Sequence, residues 1–137
     1  LNLAKDIVQS DGSNTDAWIL MARAQAGQGK IQHARNSFRL AVSRSGTDPR
    51  AAISFGRFLV EQSRIQEAIR ILGSVEHNLN ARNPEGRTPA LHNLLAAAYA
   101  RQGQTTLAVQ QLNRSLSLDP NQPEIRRLLS RMNQQTN

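Results

Sequence analysis

A histidine one helical turn from a serine is the least that nucleophilic catalysis requires, and His33 and Ser37 stand at that spacing. With no third group to orient the base and no donors placed for an oxyanion, the spacing alone supports no reaction. The chain has no cysteine, which excludes a thiolate nucleophile, a thiolate metal site and a disulfide framework. Its histidines, His33, His77 and His92, fall in separate segments with no paired spacing and no carboxylate cluster beside them, so no metal site is predicted. Gly27-Gln28-Gly29-Lys30 imitates a phosphate-cradling loop, but Ala24 occupies the earlier glycine position and Ile31 the position of the magnesium-binding hydroxyl. No catalytic residue, cofactor or metal is expected, and the chain reads as a non-enzyme.

The elements that would position these residues are helices. At 137 residues the chain is long enough for one cooperative unit. Its apolar residues are mostly Ala and Leu with 4% aromatics, a composition suited to close helix packing. The net charge is +7, and all of the 17 basic residues except Lys5 and Lys30 are Arg, a supply of planar donors that fits carboxylate or phosphate partners. The arginines are spread along the chain, which equally describes a solvated helical surface. No apolar stretch approaches the ~20 residues of a membrane span. The chain opens at Leu1 as though inside a helix, which predicts a segment of a larger repeat protein.

Self-similarity is the dominant signal. Gln28 to Ala34 aligns with Gln62 to Ala68 and with Gln102 to Ala108. The same offsets superpose Met21, Phe55 and Leu95, then Ala22, Gly56 and Ala96, then Phe38, Leu72 and Leu112. Trp18, Met21, Ala22 and Gln25 form a helical stripe, as do Ala52, Phe55, Gly56 and Leu59, and His92, Leu95, Ala96 and Tyr99. After Gly29, Ser63 and Gly103 come second helices with Ile31, Ala34, Phe38 and Ala41; Ile65, Ala68, Leu72 and Val75; Thr105, Ala108, Leu112 and Ser115. Turns this short force each pair antiparallel, and the small residues at each contact let the two helices approach closely.

The pattern resembles the tetratricopeptide repeat, whose unit carries a Trp, a Leu-Gly pair, a Tyr, then Ala, an aromatic, Ala and Pro. Leu95-Ala96, Tyr99, Gly103, Ala108, Leu112 and Leu118-Asp119-Pro120 fit it best. Unit one supplies Trp18, Gly29, Ala34, Phe38 and Ala41 but reaches Asp48-Pro49 three residues late, and unit two lacks the Asp-Pro ending. The fold expected is an all-α, right-handed superhelical solenoid of antiparallel helix pairs. We divide a single domain, 1–137, into a remnant second helix of a preceding unit at 1–10, units at 14–48, 49–87 and 88–121, and a closing helix and tail at 122–137. The surplus of unit two is assigned to a lengthened helix and a loop across Asn78 to Arg87, with Thr88 capping the next helix and Pro89 in its first turn. In the closing helix, Ile125, Leu128, Leu129 and Met132 face the array while Arg126, Arg127, Ser130 and Arg131 face water.

The resemblance implies a protein-binding scaffold whose concave wall consists of first-helix residues facing away from the core. Here those are Asp16, Ile19 and Arg23, then Arg50, Ile53, Arg57 and Val60, then Asn93, Ala97 and Arg101. Apolar residues beside arginines suggest an acidic or amphipathic peptide or helix as the occupant, with Asn93 available to its backbone. The same isoleucines would equally serve by packing on neighbouring units. The family's Lys, Asn and Arg clamp for chaperone carboxylates is not expected, because Ile19, Arg23, Ser54 and Leu94 stand where most of it would be. Nucleic acid is disfavoured, since Trp18, Phe38, Phe55 and Tyr99 lie on core stripes and Phe58 alone is left for exposure. Two alternatives remain open. One is a docking arm of an enzyme or of a bacterial envelope or exopolysaccharide-export machine, in keeping with an Ala-, Gln- and Arg-rich composition that looks bacterial. The other is self-association through the apolar stripe Leu3, Ile7 and Val8.

Overall fold

The computed structural model describes residues 14–45, 48–82 and 87–136. The expected remnant helix with Leu3, Ile7 and Val8 lies outside these residues, as do positions 83–86 of the expected loop. Seven helices run through the described residues: α1 Thr15–Gly27, α2 Ile31–Arg44, α3 Arg50–Glu61, α4 Ile65–Arg82, α5 Pro89–Arg101, α6 Thr105–Leu118 and α7 Pro123–Thr136. Successive helices pack as antiparallel pairs, as the short turns require. By its internal contacts the chain divides into two compact units, Leu1–Phe55 and Gly56–Asn137.

The turns within the three pairs share one hydrogen-bond design. In α1, the Lys30 N–H donates to the Gln25 carbonyl and the Gly29 N–H to that of Ala26; Arg64 to Leu59 with Ser63 to Val60, and Gln104 to Tyr99 with Gly103 to Ala100, repeat it. This pattern ends a helix through one residue in the left-handed region. Gly29 and Gly103 sit there at φ 77° and 78° without steric cost, whereas Ser63 is held at φ 60° despite its Cβ. The Ser63→Gly variant is therefore expected to be more stable by about 0.5–1 kcal/mol in chemical denaturation, less the exposed 3.2 Å contact of its hydroxyl with Arg101.

In the first unit the core is built on α1 and α2. Trp18, Ala41 and Ala51 cluster with Ile19, Met21 and Val42 around them. Phe38 and Phe55 stack with centroids 5.6 Å apart, and the Arg44 guanidinium lies 5.7 Å from the Trp18 ring centroid. Asn14 caps α1 by accepting from the Ala17 N–H at 3.1 Å. Both α2 and α6 contain 14 residues, so the late Asp48-Pro49 of this unit reflects a longer connector, not a longer helix. Ile31 is exposed, and the α2 core begins at Ala34.

In the second unit Gly56 lets α3 press against α4, since a Cβ at that position would overlap the Leu72 side chain. Thr88 caps α5 by accepting from the Leu91 N–H at 3.4 Å, with Pro89 opening the helix. Ala34, Ala68 and Ala108, the small residues of the three second helices, are each 0% exposed, which is what close helix approach demands. The lengthened helix is α4, 18 residues long, and it keeps positions 80–82 helical where turn residues were expected to begin the loop. Ile125 and Leu129 pack beside Met132 on Ala96, Ala108 and Leu112. Leu128 is 37% exposed and does not join this face, contrary to the sequence reading. Phe58 likewise departs from expectation: it is buried.

Phe58 belongs to a second stripe that the repeat alignment did not single out. Ala17, Ala51 with Phe58, and Leu91 with Ala98 are all buried, and they recur in phase about 100° round the helix from the first stripe. A helix inside an array is covered on two sides. In-phase apolar residues at i and i+7 were the signal for the second.

Candidate functional site

The residues that invited a catalytic reading are held in other roles. Ser37 is buried, and its hydroxyl donates to Gln25 Oε1 at 2.6 Å, while His33 lies exposed on α2. The seryl proton is thus committed to the α1–α2 contact and does not face an imidazole. His77 is exposed and His92 is 2% exposed. No group of three His, Cys, Asp or Glu side chains placed to hold a metal occurs among the described residues.

His92 occupies the family's Trp position and is the centre of a polar network in the second unit. Its Nδ1 lies 2.8 Å from Gln111 Oε1 and 3.2 Å from Glu76 Oε2. Two acceptors at that nitrogen place the ring proton on Nδ1. Gln111 in turn donates from Nε2 to Glu76 Oε1 at 3.2 Å, and Arg114 Nη1 reaches Glu76 Oε2 at 2.9 Å. Glu76 on α4, His92 on α5 and Gln111 with Arg114 on α6 are thereby tied together, so a polar core stands where an indole would otherwise fill space.

The candidate binding wall is taken unit by unit. In the first unit Asp16 and Arg23 are exposed and Ile19 and Ile53 half-buried. Ile19 packs against Trp18, Ala41 and Ala51, so it serves the core as well as the surface. Arg50 is already engaged, with Nη1 2.9 Å from Asp16 Oδ1 and Nη2 2.7 Å from Asp48 Oδ2. The hydrogen bond from Arg50 holds the Asp48 carboxyl below the usual carboxylate range, against a smaller effect of burial. That pair adds stability above the ordinary aspartate value near ~3.9, which fades as pH falls through the depressed one; it is small, because both groups reach water. Arg23 makes no hydrogen bond or ion pair among the described residues.

In the second unit Arg57 is exposed and similarly unengaged among the described residues, beside half-buried Val60. Ala97 is exposed and Asn93 half-buried. Arg101 is not free: Nη1 donates to the Val60 carbonyl at 2.7 Å and Nη2 contacts Ser63 Oγ, placing a cation on the C-terminal end of α3. Asn93 Nδ2 donates to Gln122 Oε1 at 3.0 Å, whereas its Oδ1 is buried without a hydrogen-bond partner. Sequence reasoning credited both residues to the surface and missed these internal contacts, which depend on the later turn and connector and leave no periodic trace.

Residues 89–132 match the family profile described as tetratricopeptide repeat. No curated protein sequence matches the chain. Among solved structures, MamA 41-end from Desulfovibrio magneticus RS-1 superposes with a TM-score of 0.77 at 20% identity, over 97% of this chain and 72% of that one. PilW, described as a widely conserved type IV pilus biogenesis factor, gives 0.77 at 25% identity over 94% and 57%. YrrB, a TPR protein with an unusual peptide-binding site, gives 0.73 at 16% over 90% and 60%. The chain therefore spans little more than half the length of two of these three. No helix among the described residues is long and apolar enough to cross a membrane. The in-phase units, the antiparallel pairs, the profile match over residues 89–132 and the likeness to TPR structures agree: the chain has the fold of the tetratricopeptide repeat, a class that generally acts as a scaffold for protein partners.

Proposed function

We propose that the outward faces of the first helices hold a segment of a partner protein that is apolar on one side and acidic on the other. The observation that carries this reading is a pair of guanidinia at equivalent positions, Arg23 on α1 and Arg57 on α3, each exposed and unengaged among the described residues. Arg50 and Arg101, by contrast, are consumed by internal contacts. Half-buried Ile53 and Val60 supply apolar contact beside the free charges. An incoming carboxylate would gain paired, charge-assisted hydrogen bonds without breaking any made among the described residues. The likeness to YrrB, a TPR protein with an unusual peptide-binding site, supports the mode. The likeness to a pilus biogenesis factor favours a scaffold serving a bacterial envelope assembly, and in that setting the enzyme-linked docking arm is the lesser reading.

The test is affinity capture from the source cells with the whole protein and with its Arg23→Glu, Arg57→Glu double variant. Both substitutions lie on exposed positions, so helix content by circular dichroism should be unchanged. Captured proteins should fall by about tenfold or more. An unchanged set of captured proteins sinks the assignment.

A further inference from the structure

We infer that the outward face of α7 is a second docking surface, and that it takes an acidic amphipathic helix of a partner protein. Arg127 and Arg131 stand one period after the wall positions Asn93 and Ala97, but the proposal does not require Arg23 or Arg57 to bind a partner. Arg126, Arg127, Ser130 and Arg131 are all exposed and line one open depression. A smaller depression formed by Pro120, Asn121, Gln122 and Pro123 shares Arg126. None of the three guanidinia makes a hydrogen bond or ion pair among the described residues, and Glu124, the one acidic residue of the helix, pairs with none of them. Elsewhere in this unit Arg101 and Arg114 are held by internal acceptors. Arg57 of α3 is also unengaged among the described residues, but on α7 three such side chains adjoin one another around one depression.

The rest of the helix fixes the orientation. Ile125, Leu129 and Met132 are committed to the core on the opposite side, so the arginines cannot turn inward. Advancing one 34-residue period from α5, Arg126 falls at the position of buried His92 and Ser130 at that of buried Ala96. The Arg126 charge would have to be desolvated for another hairpin of the same kind to pack there, whereas Arg127 and Arg131 fall at the positions of half-buried Asn93 and exposed Ala97. This argues against a further repeat as the occupant.

Charge complementarity then selects it. Arg127 and Arg131 are one turn apart, about 6 Å along the axis, a spacing that carboxylates at i and i+4 of a partner helix reproduce. Leu128, at the margin of the face and 37% exposed, offers that helix an apolar contact. From Leu118 to Asn137 there is no aromatic residue on which a nucleic-acid base could stack.

The experiment titrates the whole protein into a fluorescein-labelled helical peptide of about fourteen residues, matched to the ~21 Å of α7, with glutamates at i and i+4 and leucines along the adjoining stripe. Binding should weaken about tenfold between ~0.05 and ~0.5 M salt. The Arg126→Glu, Arg127→Glu, Arg131→Glu variant should lose at least about tenfold in affinity with unchanged helix content, while Arg64→Glu, at an exposed position outside both proposed surfaces, stays within about twofold. A glutamine version of the peptide should not bind. The proposal is overturned if the triple variant binds as well as the parent, or if no binding develops up to ~1 mM peptide, the weak limit of useful association. It is equally overturned if phosphatidylserine vesicles or oligothymidylate are held more tightly than the peptide through the same arginines.

Discussion

Gly56→Val should lower the unfolding free energy by about 3 kcal/mol, the upper end of what overpacking costs. Valine has the least freedom to escape here, because the first carbon added to Gly56 already overlaps Leu72 and its branch fixes χ1 within a helix. Leu72 is itself fully buried, so Leu72→Ala alone should cost about 3 kcal/mol through the space it leaves. The two defects are complementary in volume. The double variant should thus be more stable than the sum of the two losses predicts by about 1 kcal/mol or more. Urea denaturation followed by circular dichroism measures all three. Strict additivity would mean that Gly56 is not retained for the α3–α4 contact.

Glu76→Ala should be nearly as damaging, about 2–3 kcal/mol. The carboxylate is the shared acceptor for His92 Nδ1, Gln111 Nε2 and Arg114 Nη1. Its removal leaves the buried Gln111 amide donor without that acceptor and releases Arg114, although Gln111 Oε1 still serves His92. Glu76→Gln keeps one acceptor oxygen and should cost about half as much. Equal losses for the two variants, or a loss below ~0.5 kcal/mol for alanine, would show that the network does not contribute as its geometry implies.

The repeat architecture was legible because close helix packing imposes a residue-size rule at fixed intervals. Ala34, Ala68 and Ala108 could be matched across units from the chain alone, and each is fully buried. The cap at Thr88 was legible for a related reason, since a hydroxyl before a proline has few other local uses. Phe58 and Leu128 were misplaced because one apolar stripe reports one buried side, whereas neighbouring elements decide how much of the remaining surface is covered. The candidate wall was readable only as a set of positions. Which of its arginines are already occupied depends on contacts such as Arg101 with Val60, 41 residues apart in the chain, and no local pattern encodes those.

The aromatic residues are distributed so that spectroscopy can separate the two compact units. The one tryptophan, Trp18, is in the first unit and the one tyrosine, Tyr99, in the second. Indole emission excited at the red edge will therefore follow melting of the first unit alone, while far-ultraviolet ellipticity sums over all helices. Superimposable transitions from the two probes would mean that the array melts as one body; an earlier indole transition would mean that it frays from its N-terminal side.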